Sequence, residues 1–191
     1  MIPTTAPKFV GDRRALDDVL ADAKQMSCPH CHRTGMLVGH ALVTGYAERS
    51  AAREVRGRRL LCSARFRRGG CGRTFSVLIA TVIARFSVRT STISALLDAV
   101  VGGLCRKAAW ERLHTAGTMP GLVLRSCYRI WARLLGAQAH LRTALCRLAA
   151  PPATADARPI VETLAHLRQA LGRGGCVLAA FQVSLQRGIF D

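Results

Sequence analysis

The chain has 191 residues, half of them apolar and 20% charged, with 28 Lys+Arg against 11 Asp+Glu and a formal charge of +17 at pH 7. That length gives one domain or two small modules, and the apolar fraction excludes a disordered polar chain. So positive a field favours a polyanion, nucleic acid first; yet 25 of the 28 basic residues are Arg, a bias that a GC-rich coding sequence produces by itself, so charge alone carries limited weight.

In chain order, residues 1–26 read as an N-terminal helix, with Leu16, Val19, Leu20 and Ala23 at helical spacing and Asp17, Asp18 and Asp22 on the wetter side. Residues 27–84 change to β-prone runs at 36–43, 59–62 and 74–79, broken by Gly and Arg. Residues 85–117 read as a helix-turn-helix. Ile93, Leu96, Leu97, Val100 and Val101 share one face, Gly102-Gly103 ends the helix, Leu104 plugs the turn and Cys105 stands at a cap position. In the second helix Ala108, Ala109 and Leu113 face inward and Arg106, Lys107 and Arg112 outward. Residues 118–150 read as a helical hairpin broken near Gly136, 151–159 as a Pro-containing linker, and 160–191 as a helix followed by an apolar tail around Cys176–Phe181. That tail has to bury itself on the ribbon, on the helices, on a second copy in a homodimer, or on a partner protein. The expected fold class is α+β, mostly α: a small β zinc ribbon, a helix-turn-helix and a helical bundle.

Spacing separates the eight cysteines into two groups. Cys28-Pro29-His30-Cys31 brings two thiolates onto one tight turn; thirty residues later comes Cys62, and eight more residues separate it from Cys71, which Gly72 follows. Four sulfurs from two loops are what a tetrahedral Zn²⁺ needs, and a segment this poor in core needs such a staple. The expected cofactor is therefore one structural Zn²⁺ on Cys28, Cys31, Cys62 and Cys71. The second pair departs from the usual two-residue spacer, so 63–68 reads as an insertion between ligands, with His30, His32 and His40 as substitute donors. Ordinary buried thiols are the plain alternative for Cys62 and Cys71. Cys105, Cys127, Cys146 and Cys176 are scattered among helical apolar neighbours and read as core residues.

Arg49, Arg53, Arg56, Arg58, Arg59, Arg65, Arg67, Arg68 and Arg73 share a stretch with a single acid, Glu54. Arginines on a hairpin can lie along phosphates, each contact releasing counterions. The expected DNA contacts are thus Arg56, Arg58, Arg59, Arg65, Arg67, Arg68 and Arg73 to phosphates, and Arg106, Lys107 and Arg112 at the groove. The plain alternative is a solvated basic surface.

The order CPHCH, RRLLC, RRGGCGRTFSV, FSVRTSTISALL and GLCRKAAWERL, covering about 27–115, resembles the N-terminal zinc-ribbon and helix-turn-helix region of bacterial insertion-sequence transposases and their small uncharacterised relatives. The resemblance implies that the ribbon and helical unit bind DNA, with a separate nuclease domain doing the cutting. Such chemistry needs a carboxylate trio around metal ions, and after residue 115 only Asp156, Glu162 and Asp191 remain; no enzymatic activity is expected. The competing functions are a zinc-stapled protein-interaction or accessory module and a truncated transposase remnant. The most apolar run, 75–84, is about half the length of a membrane span, and Met1-Ile2-Pro3-Thr4-Thr5 lacks the basic start of a secretory signal. The expected location is cytoplasmic and nucleoid-associated, with no membrane partner.

Overall fold

The computed structural model describes residues 4–5, 8–46, 53–65, 69–84, 86–117, 123–153, 158–172 and 174–190. The N-terminal half holds the strands β1 (Thr4–Thr5), β2 (Phe9–Val10), β3 (Met26–Ser27), β4 (Leu37–Tyr46), β5 (Arg53–Cys62) and β6 (Thr74–Ile79), with α1 (Arg13–Ala21) between β2 and β3. The main sheet runs β2-β6-β5-β4; β4, β5 and β6 are antiparallel neighbours, and β2 lies parallel to β6 with Phe9 opposite Leu78. A second, two-stranded piece pairs β1 with β3.

The central hairpin is longer than its apolar pattern implies: β4 and β5 have ten residues each. Only the end of β5 is apolar, and the Arg-rich part is held by backbone pairing with β4 across two register shifts, at Gly39/Ala41 and Val43/Thr44. Sheet hydrogen bonds need no apolar side chain, so hydrophobic patterning underestimates such a strand. Nor is α1 a separate element: Asp12 caps it by accepting the Ala15 amide at 2.8 Å, and its buried Leu16 and Val19 join Val10, Met26, Leu37, Leu60, Val77 and Ile79 in one small core. Cys28 and Cys62 sit inside that core.

The C-terminal half is helical: α2 (Thr90–Val101), α3 (Arg106–Thr115), α4 (Leu124–Leu145), α5 (Pro159–Leu171) and α6 (Val177–Leu185). The hairpin expected at 118–150 is instead one 22-residue helix. Glycine in a helix costs only about 1 kcal/mol against alanine, and buried Leu134, Ala137, Gln138 and Leu141 carry the helical period straight past Gly136. The apolar tail forms α6, whose Phe181 and Leu178 are fully buried in the helical core with Ile93, Leu96, Trp131 and Leu164. The tail thus buries itself on the chain's own helices.

Polar contacts join the halves. Buried Gln182 donates from Nε2 to the carbonyls of Ala80 and Val82 at 2.8 and 3.0 Å. Gln186 accepts the amides of Lys8 and Phe9 on Oε1 and returns a bond from Nε2 to the Phe9 carbonyl. The chain's last helix thereby ties down its N-terminal edge strand. On the other side Arg89 meets Glu54 at 2.6 Å. No helix among the described residues is long and apolar enough to cross a membrane.

Candidate functional site

Cys28, Cys31, Cys62 and Cys71 converge: their four sulfurs all lie within 4.8 Å of one another, with Cys28–Cys71 at 3.8 Å and Cys31–Cys62 at 3.7 Å. Tetrahedral sulfurs about 2.3 Å from a central ion are about 3.8 Å apart, so the donor set fits a tetrahedral metal ion. All four are free thiols.

Two backbone loops of the same construction deliver them. In the first, the Cys28 amide donates to the Arg33 carbonyl at 2.9 Å and the His32 amide to the Cys28 carbonyl at 2.8 Å. In the second, the Cys62 amide donates to Arg73 and the Gly72 amide to Cys62, each at 2.9 Å. Each pattern links the first cysteine to the two residues after the second cysteine. Those first residues, His32 and Gly72, both take left-handed backbone, φ 58° and 71°. The eight-residue spacer therefore enlarges the second loop without changing how its ends are held. The loops touch where the Arg33 guanidinium donates to the Gly69 carbonyl, and within the second loop Gly70 lies so close to the Ser63 and Cys62 carbonyls that a β-carbon has no room there.

The loop amides point at sulfur, His30 N–H to Cys28 Sγ at 3.4 Å and Cys71 N–H to Cys62 Sγ at 3.3 Å. The Cys31 thiol is drawn down to about 7, chiefly by the Arg33 backbone amide, whereas burial pushes Cys62 up to about 12. The cluster contains no histidine, so the substitute donors His30, His32 and His40 stand outside it. Cys127 is core with its thiol pushed up by burial, and Cys105 caps α3, its sulfur accepting the Ala108 amide at 3.5 Å.

The expected DNA contacts divide. Arg59, Arg65 and Arg73 are exposed. Arg56 is half-buried: its guanidinium donates to the carbonyls of Ile83 and Phe86, linking the sheet to the chain entering α2, and its stem fills the space above Gly45. Arg58 is half-buried with its Nε out of solvent, packed across Gly39 beside Leu20. Strand alternation explains Arg58, which shares the face of Leu60 and Cys62 pointing into the core, whereas Arg56 is the residue that β5 leaves unpaired at the Val43/Thr44 register shift. Arg67 and Arg68 lie outside the described residues, as does Arg49. In α3, Arg106, Lys107 and Arg112 are all exposed, Lys107 facing Glu111 at 3.8 Å; only Ala109 of this helix is fully buried. Missed from the sequence was a run on α4, Arg125, Arg129 and Arg133, whose four-residue spacing was a readable signal.

Comparison of the chain with protein-family models, curated proteins and solved structures gives no match.

Proposed function

We propose that the chain is a zinc-stabilised DNA-binding protein of bacterial type, similar to the DNA-recognition part of an insertion-sequence transposase and without a catalytic domain. Cys28, Cys31, Cys62 and Cys71 hold one structural ion. Zn²⁺, once bound, supplies a tetrahedral cross-link between two loops. The loop amides on Cys28 and Cys62 partly offset thiolate charge, and the buried pair anchors the site in the core. An all-thiolate tetrahedron suits zinc best among ions with a purely structural role.

The observation that carries the DNA reading is α3. It follows α2 through the Gly102-Gly103 turn, is capped by Cys105, and turns Arg106, Lys107 and Arg112 to solvent while only Ala109 is fully buried. A short helix so lightly embedded, with cations on its outer side, can enter a major groove, while Arg59, Arg65 and Arg73 reach phosphates from the ribbon.

The test is a titration of a mixed-sequence duplex with the purified zinc-loaded protein over increasing salt. The expected result is affinity that falls steeply with salt, and Arg106→Gln should change sequence preference while Arg59→Gln weakens all sequences alike. Absence of any salt-dependent binding would remove this reading in favour of a zinc-stapled protein-interaction module.

A further inference from the structure

We infer that α4 carries a second DNA contact: Arg125, Arg129 and Arg133 form a rail along which the phosphodiester backbone of a duplex lies, next to α3. The inference rests on the DNA-binding reading and adds a site to it.

The three arginines recur every four residues, so they share the outer side of α4, opposite the buried Cys127, Ile130, Trp131, Leu134 and Leu141. All three are exposed. At 1.5 Å per residue the row spans about 12 Å, with one guanidinium every ~6 Å. Residues 124–145 contain no Asp or Glu, and among the described residues none of the three arginines forms an ion pair. The contrast with other helical cations is direct: Arg13 faces Asp17, Lys107 faces Glu111 and Arg168 faces Asp98 on other helices, and Arg142, farther along α4 itself, faces Glu162. Like charges one turn apart repel, and a phosphate strand relieves that repulsion.

The surface around the row is built for close approach. Exposed Ala132 lies within it and Gly136 continues it, and open space lies over Gly136. At its start the row joins α3, because Arg106 lays its guanidinium over the Tyr128 ring, 5.1 Å from the centroid. The groove-facing helix and the rail are thus one continuous basic surface.

Duplex rather than single-stranded nucleic acid is the favoured occupant. Single strands are held by bare aromatic rings on which bases stack. Among the described residues the exposed tyrosines are Tyr46 and Tyr128, and an arginine covers each, Arg53 at 5.9 Å and Arg106 at 5.1 Å.

The experiment measures anisotropy of a labelled mixed-sequence 30-bp duplex against salt, using the zinc-loaded full chain. The variants are wild type, Arg125→Gln/Arg129→Gln/Arg133→Gln, the same triple to Lys, and a charge-matched control, Arg14→Gln/Arg147→Gln/Arg187→Gln, at exposed arginines elsewhere. The rail predicts that the glutamine triple flattens the slope of log K against log salt by about 2.7 and loses about tenfold or more in affinity at ~50 mM salt. The lysine triple and the control should keep slopes near wild type. A salt-independent or absent wild-type signal overturns both the DNA reading and the rail. A steep wild-type slope that the glutamine triple leaves unchanged, or that the control flattens equally, overturns the rail alone. Tighter binding of single strands than of duplex overturns its assignment to duplex. Should the triple melt early, Arg129→Gln by itself is expected to lower the slope by about 0.9.

Discussion

Replacing Cys71 by serine removes one sulfur from the cluster with little loss of packing, because Cys71 is exposed while Cys28 and Cys62 are fully buried. That makes it the cleanest probe of metal ligation. Structural zinc sites bind with roughly 10–16 kcal/mol through four ligands, so one ligand is worth roughly 2.5–4 kcal/mol when metal is present. For a chain of this size each kcal/mol moves the melting temperature by about 2–4 °C, giving an expected drop of roughly 5–16 °C. Without metal the same substitution should act as an ordinary surface change, within about 0.5 kcal/mol. The assay is thermal unfolding with and without a chelator, alongside metal analysis. Cys146→Ser serves as the control, being exposed and outside the cluster. Wild type should hold about one metal per chain and the Cys71 variant clearly less. Identical melting of wild type, Cys71→Ser and Cys146→Ser, each indifferent to chelator, would refute the metal-staple argument.

Metal affinity should rise with pH. Cys62, pushed up to about 12, is protonated in the metal-free protein near neutrality and must release its proton on binding, whereas Cys31, drawn down to about 7, adds its own released proton only as pH falls below about 7. Competition titrations with a chromophoric chelator between about pH 6 and 8 should therefore steepen on the acid side; affinity independent of pH would contradict this. Arg56→Met should cost about 1.5–3 kcal/mol in denaturant unfolding, by losing charged donors to Ile83 and Phe86, with the salt slope of DNA binding unchanged. Arg59→Gln should do the reverse, sparing stability and lowering that slope by about 0.9. Gly57→Ala sets a β-carbon against the Val77 carbonyl and Leu78 at the β5–β6 contact, so a loss of about 1–3 kcal/mol in unfolding free energy, read from denaturant unfolding, is expected; a neutral result would mean that the two strands are less closely held.

The four-cysteine grouping, the Gly102-Gly103 turn, the Cys105 cap and the period of α2 and α3 follow from the residues alone, because each depends on neighbours within a turn or on side-chain chemistry that does not change with context. The departures arose where distant segments meet. Gly136 looked like a break because a helix-weakening residue signals an end locally, but the buried face of α4 outweighs its small cost. Arg56 and Arg58 looked solvated because charge normally is, yet a register shift holds Arg56 against the Ile83 and Phe86 carbonyls and strand alternation turns Arg58 to the side of Leu60 and Cys62. Tertiary structure alone decided that the eight-residue spacer closes into a second loop matching the first, that the tail packs as α6 inside the helical core, and that Gln182 and Gln186 stitch it to Ala80, Val82 and Phe9. The physical reason is that such contacts join residues up to 178 positions apart, and no local period records which remote carbonyl or sulfur a side chain will meet.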